Sequence, residues 1–577
     1  MPQNATQTGA TKPAPWIARS NEHAKVVLDS LARFHPETGS LFGVPGADER
    51  VIDLGGDIDQ RRLASARATQ ADLEKRLTAE TDPQVRQDLE IMLDLVARDL
   101  ERQQATTRLL LPWVHVAEIV YHGMRTLLDP QNPPARQALA LARLRRYAGL
   151  EPDTKPLAEE AATRWREKTR EPSLVGPARA EVEKNLGDAS ALLDGIAPMF
   201  AAAKIEGYED ALRRLREQMS AYEAFAQKEV LPRTRAEFRQ PGELYRIGLK
   251  DVGVDFPLEE LVSRAQVAFR EIQNEMQAIA PLVARAKGWP HTDYRDVLRA
   301  LKQEQFVGDA ILPHYTSRMK DLEAIITREG IVSLPERAAQ IRLASAAESA
   351  AQPAPHMQPP RLIGNTGERG TFVLPLAMTA SPGQQALQYD DFTFEAGSWT
   401  LTAHEGRPGH ELQFAAMVEQ GVSIARGLFA FNSVNVEGWA LYMEAEMKPY
   451  EPLDGQLVAL QHRMMRAARA FLDPGVQAGT ITPAEATRVL THEVGLSEAM
   501  ARQETERYMF RAPGQATSYF CGYQRLMELR SEVERALGAR FDRRRYHDFL
   551  LSQGLLPPAL LRKAVLETFV PRERAAA

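Results

Sequence analysis

His404-Glu405-Gly406-Arg407-Pro408-Gly409-His410, followed by Glu437-Gly438-Trp439-Ala440-Leu441-Tyr442, is the stretch on which the reading of this chain turns. It holds two imidazoles and two carboxylates. A catalytic zinc needs that inventory: two or three nitrogen or oxygen ligands, an open fourth position, and a carboxylate that accepts a proton from water. In the familiar His-Glu-x-x-His signature the histidines stand four apart, about 6 Å along one helical face. Here the second histidine comes two residues later. Six residues of ideal helix rotate by about 600°, which leaves His410 roughly 120° around and about 9 Å along from His404. On a regular helix the pair cannot share one ion. Pro408 removes a backbone donor and clashes with the preceding turn, and Gly409 is open to conformations closed to other residues, so a bulge or kink at 408–409 can swing His410 back. The alternative is that Pro-Gly merely terminates a helix carrying two ordinary histidines.

Outward from the motif the dominant period is helical. Gln60 to Arg108, Ala178 to Val230, Leu258 to Ala286 and Leu312 to Glu329 carry apolar residues at three and four spacing in an Ala/Leu/Glu/Arg-rich background. Pro112-Trp113, Pro133-Pro134, Glu151-Pro152-Asp153 and Gln240-Pro241-Gly242 punctuate them. The expected fold is mainly α: a large helical array enclosing a cleft, with a short strand or hairpin near the site. Ala346 to Pro360 reads as a loop by composition and Gly370 to Leu376 as a strand. Such a strand can hold an extended peptide by backbone pairing, or can be a plain surface hairpin. The expected organisation is a tail over 1–20, a helical region over 21–345 and a catalytic helical region over 346–577, joined in one continuous unit.

At 577 residues, 44% hydrophobic and 26% charged, the chain can bury a large core without disulfides. Its one cysteine, Cys521, sits among aromatic residues and reads as a packed thiol. A net charge of −6 with no isolated basic block speaks against nucleic acid as a partner. No apolar run is long enough to span a membrane. Met1 to Pro15 lacks the apolar core of a signal peptide, so the expected location is cytoplasmic for the chain as written.

His-Glu-x-x-Pro-Gly-His, the Glu437–Tyr442 segment, and Pro513-Gly514-Gln515 with Tyr519, Gly522 and Arg530 together resemble the bacterial family known as domain of unknown function 885. The resemblance is loose before about residue 360 and specific from there to about 532. That family is described as similar to helical zinc peptidases of the gluzincin type, which implies a metallopeptidase. Two positions depart from the family pattern. Glu411 stands where relatives often have a second histidine, and Asp473-Pro474-Gly475-Val476-Gln477 replaces Asp-Thr-Gly-x-His.

The roles expected are these. His404, His410 and Glu437 bind one Zn2+ per chain, as in the His2Glu class of site. Glu405 is the general base toward a metal-activated water. Tyr519, preferred for its place in the Pro-Gly-Gln motif, or Tyr508 donates to the oxyanion. Glu444 and Asp473 compete to hydrogen-bond a ligand imidazole from behind. Arg525 or Arg530 is available to clamp a substrate carboxylate, or is ordinary helix surface. His115 and His122 stand seven apart on a helix, about 10 Å, too far for one ion. His462 and His492 lack partners at ligand spacing. The expected activity is zinc-dependent hydrolysis of amide bonds in short peptides. A metal-dependent amidase or esterase on a non-peptide small molecule, and a non-catalytic helical binding protein, are the alternatives.

Overall fold

Asp82-Pro83 shows how the long helical stretches are divided. The Asp82 carboxylate accepts from the backbone N–H groups of Gln84 and Val85, at 2.9 and 3.4 Å, and Pro83 takes a first-turn position where no donor is needed. The stretch read as one run therefore becomes two helices, Ile58–Ala79 and Pro83–Leu109. By the same punctuation 178–230 divides into Arg179–Asp194, Ile196–Ala203 and Glu209–Phe225 with a π-helical turn after it, while Leu258–Lys287 and Ile311–Glu329 stay whole. The computed structural model describes residues 14–352, 354–375 and 389–576. The fold is mainly α, with one three-stranded sheet among the described residues.

The expected N-terminal tail is shorter than 1–20. A helix starts at Pro15 and runs to Phe34, burying Ala24, Val27 and Leu28, and residues 1–13 lie outside the described part. The segment read as a loop over 346–360 also carries structure. Ser345 and Glu348 form a reciprocal capping box on a short helix, Ala346–Ala351, and His356–Gln358 is a strand. Composition hid both because the helix is under two turns and the strand has three residues.

The expected strand over 370–376 is present as Thr371–Leu374, with Leu376 outside the described residues. We number the strands β1 (Gln340–Leu343), β2 (His356–Gln358) and β3 (Thr371–Leu374). β3 lies in the middle, parallel to β1 and antiparallel to β2. All four β3 residues are buried, which explains its uninterrupted Thr-Phe-Val-Leu run.

One hydrophobic core joins helices at the two ends of the sequence: Ala24, Leu89 and Met92 pack with Leu441, Val533 and Phe569. A second unites 256–315 with 372–521, and a third lies almost wholly within 54–230. The helices that carry the motifs meet between the first two. Ser433–Met447 crosses Ser518–Leu537 at glycine on glycine: a Cβ on Gly438 would stand 2.6 Å from Gly522 Cα, and one on Gly522 would stand 2.0 Å from Val434 O. That approach sets Glu437 and Tyr519 side by side.

Candidate metal centre

The motif does not bend a single helix. Glu395–Glu405 ends at His404-Glu405, the chain turns through Gly406–Gly409, and a separate helix, His410–Gln420, begins on the second histidine. The expected bulge is thus a full break. The Arg407–Pro408 peptide is cis. A Cβ on Gly409 would lie 2.0 Å from His404 O, so only glycine lets the turn fold back this tightly. Trp439 Nε1 donates to Pro408 O at 3.1 Å and Gly409 O at 3.3 Å, tying the turn to the Glu437 helix. Arg407, buried, donates to Glu411 at 2.6 Å and Glu323 at 2.7 Å. Glu411, the residue that replaces a family histidine, is therefore an anchor for the break.

Across the break the His404 and His410 rings stand 4.6 Å apart, nearly perpendicular. Glu437 Oε2 lies 3.5 Å from His404 Nε2 and 3.2 Å from His410 Nε2. One ligand atom from each of the three residues falls within 4.8 Å of the others. Donors about 2.0–2.2 Å from a tetrahedral centre stand roughly 3.3–3.6 Å apart, so the two spacings through Glu437 suit a zinc-sized ion. Glu437 Oε2 is buried and makes no hydrogen bond among the described residues, which fits an atom meant for a cation. Among the described residues this is the one such cluster.

Behind the cluster, His404 Nδ1 and Glu444 Oε1 are 2.6 Å apart, and Glu444 Oε2 accepts from Thr400 Oγ1 at 2.6 Å. This bond directs His404 Nε2 toward Glu437. Burial would raise the Glu444 carboxyl, but the Arg466 guanidinium and the bond to His404 outweigh it and hold it at about 2. Asp473, its rival, is elsewhere: it accepts from Tyr245 Oη at 3.0 Å and Gly514 N at 2.9 Å, pinning the Pro-Gly-Gln loop. Gln477, at the second family-histidine position, donates to Tyr508 O at 2.7 Å and Met509 O at 3.0 Å.

Glu405 is buried beside the cluster, 3.9 Å from His404 Nε2. Burial pushes its carboxyl up to about 7, with His410 opposing and Glu437 adding to the shift. Met357 of β2 borders the same cavity as Glu405, so the strand abuts the site. The Tyr519 ring lies 6.2 Å from that of His404, nearly parallel to it, and its hydroxyl accepts from Arg507 Nη2 at 3.0 Å. Burial raises its pKa and keeps it a phenol. Tyr508 turns away, its hydroxyl donating to Glu504 at 3.0 Å. It does not border the cavity, whereas Tyr519 does.

His404, Glu405, His410, Glu437 and Tyr519 open onto a cavity of about 560 Å³, whose border also includes Glu118, His122, His356 and Met357. Arg525 and Arg530 are not there. Arg525 pairs with Asp255 at 2.9 Å, and Arg530 bonds Tyr442 at 3.0 Å and Glu534 at 2.8 Å. The cavity arginines are instead Arg466, Arg469, Arg507 and Arg511, none of which the motifs single out. His462, set aside earlier, also borders the cavity, and burial lowers it to about 3. Their one sequence signal is the i, i+4, i+7 spacing of 462, 466 and 469, which puts them on one helical face. Cys521 is buried near Asp255, with burial raising its thiol to about 12.

Two solved structures share this fold. A protein from Colwellia psychrerythraea, provisionally described as a lipoprotein, superposes with a TM-score of 0.75 at 18% identity, covering 96% of this chain and 99% of that one. Another from Shewanella oneidensis, provisionally described as a lipoprotein of unknown function, gives 0.69 at 19% identity, over 96% and 100%. No curated protein sequence matches the chain. Among the described residues no helix is long and apolar enough to cross a membrane. The profile of one family covers residues 36–565, and the chain belongs to that family, described as "Bacterial protein of unknown function (DUF885)".

Proposed function

We propose that this protein is a zinc-dependent hydrolase of amide bonds, acting on short peptides. The observation that carries the reading is the convergence of His404, His410 and Glu437 within 4.8 Å, with Glu405 beside them. When bound there, zinc would act as a Lewis acid toward the scissile carbonyl and make water easier to deprotonate. Glu405, with a carboxyl raised to about 7, is matched to taking a proton from water and returning it to the leaving amine near neutral pH. The C–N bond breaks, the water oxygen goes to the carbonyl carbon, and the proton goes to the released amine. Tyr519, a protonated phenol braced by Arg507, is the donor for the developing oxyanion. Glu444 holds His404 in the tautomer that presents Nε2. The β2 edge alongside Glu405 offers backbone groups to an extended substrate.

A cavity of about 560 Å³ between helices admits a few residues of peptide and excludes folded proteins. Because both structural neighbours are described as lipoproteins, we also propose an exported site of action in place of the cytoplasmic one. Fractionation of the native cell tests that point.

Metal content by inductively coupled plasma mass spectrometry tests the reaction. About one zinc per chain is expected in wild type and in Glu405→Gln, none in His410→Ala, and peptide hydrolysis in wild type alone. Wild type that neither contains zinc nor takes it up would end the proposal.

A further inference from the structure

The wall of the cavity behind Tyr519 carries more positive charge than its own acids balance. Arg469 donates twice to Glu504, at 2.7 Å each, and Arg507 shares the same carboxylate at 3.2 Å. Arg466 has only Glu444, at 3.2 Å, which also serves His404. Three guanidinium groups thus face two carboxylates. Of the other acids bordering the cavity, Asp391 pairs with Lys302 at 2.7 Å, Glu437 faces the imidazoles, Glu118 lies 2.8 Å from His115, and Glu405 is buried beside His404.

Arg466 is the least satisfied of the three. It is 4% exposed, borders the cavity, and its Nε makes no hydrogen bond among the described residues. Its other contacts are Nη1 to His462 O at 3.3 Å and the face of the Tyr519 ring at 5.8 Å. Leaving a buried guanidinium nitrogen unpaired is costly, and a planar carboxylate is the ligand its geometry matches. The guanidinium is also close to the chemistry. A single oxygen, Glu444 Oε1, touches both His404 Nδ1 at 2.6 Å and Arg466 Nη2 at 3.2 Å. Arg466 also borders the same cavity as His404, Glu405, His410 and Glu437, so a carboxylate held there shares one enclosure with a carbonyl at those residues.

We infer that the substrates are short peptides cleaved at the amide next to a free carboxyl terminus, and that Arg466 receives that terminal carboxylate. This rests on the proposed amide hydrolysis and narrows it to release of a carboxyl-terminal residue.

The test separates binding from turnover. In the zinc-loaded Glu405→Gln protein, isothermal titration compares trialanine with its carboxyl-terminal amide. The free acid is expected to bind about tenfold tighter or more, the scale of one charge-assisted contact. Adding Arg466→Gln should reduce that preference to about threefold or less, and Arg466→Lys should restore part of it. Equal binding of acid and amide with Arg466 intact, binding of neither, or an unchanged preference in Arg466→Gln overturns the inference. Because the first comparison leaves Arg466 in place, it holds even if the Arg466 variants fold poorly. Failure of wild type to hydrolyse any peptide would remove the proposed reaction while leaving the carboxylate preference readable.

Discussion

The chain contains two pairs of closely spaced histidines, and they behave in opposite ways. His404 and His410, six apart, are separated by a broken helix and bring their rings to 4.6 Å. His115 and His122, seven apart, sit at the cap and on the body of one unbroken helix, Val116–Leu127. They flank a shared carboxylate from two sides, His115 Nδ1 at 2.8 Å and His122 Nε2 at 3.8 Å from different oxygens of Glu118. The continuous helix keeps its imidazoles one turn or more apart, whereas the Pro-Gly break frees the second imidazole to return over the first. Convergence is a property of the interruption rather than of the count of residues between ligands.

The largest effect should come from stiffening that interruption. Gly409→Ala places a methyl 2.0 Å from His404 O and 2.4 Å from Ala403 O, against backbone that cannot yield. We expect loss of bound zinc together with a destabilisation of roughly 1–3 kcal/mol or more, read by mass spectrometry and thermal unfolding. Normal zinc content in this variant would show that the tight turn is not what joins the ligands.

A second contrast concerns the carboxylates that touch each pair. Glu444→Gln replaces the charged acceptor that orients His404 with a neutral amide and should weaken zinc binding by about 10–100-fold in a chelator competition. Glu118→Gln, made at the unconverged pair, should leave zinc affinity unchanged. Equal losses in the two variants would mean that Glu118 reaches the centre across the cavity.

The smallest effect is in acid. Burial would raise the Glu504 carboxyl, but Arg469 and then Arg507 outweigh it and hold it at about 2. The folded value lies below the ordinary glutamate value of about 4.3, so the stabilisation is complete above that value and is lost as pH falls through the interval down to about 2. Glu504→Gln should be less stable at neutral pH and should lose less on acidification across that interval. An acid limb parallel to that of wild type would place the titrating group elsewhere, Glu118 being the comparison, since its bonds to His115 and then His122 also hold it below the usual range.

Much of the fold was legible because helix periodicity and Pro/Gly punctuation are local signals. Asp82-Pro83 marks a helix start wherever it stands, and Thr371–Leu374 is apolar enough to announce a buried strand. The candidate metal ligands were legible as residue types. Tyr519 stood ahead of Tyr508 by its motif alone, because which side of a helix faces the cavity depends on what packs behind it. Glu444 and Asp473 were equal candidates for the same reason. Glu444 is the one beside His404 because Ser433–Met447 packs against Glu395–Glu405, a closeness visible only in three dimensions.

By itself, the amino-acid sequence determined a mainly helical chain, its punctuation, and the inventory of imidazoles and carboxylates, since these follow from propensity and side-chain chemistry along the chain. Tertiary structure alone decided that the His410 helix begins afresh after the break, that Glu444 rather than Asp473 backs His404, and that Arg466, Arg469 and Arg507 line the cavity instead of solvent. Those outcomes depend on contacts between segments far apart in sequence, where close packing and the need to satisfy buried charge choose among arrangements that local sequence leaves equivalent.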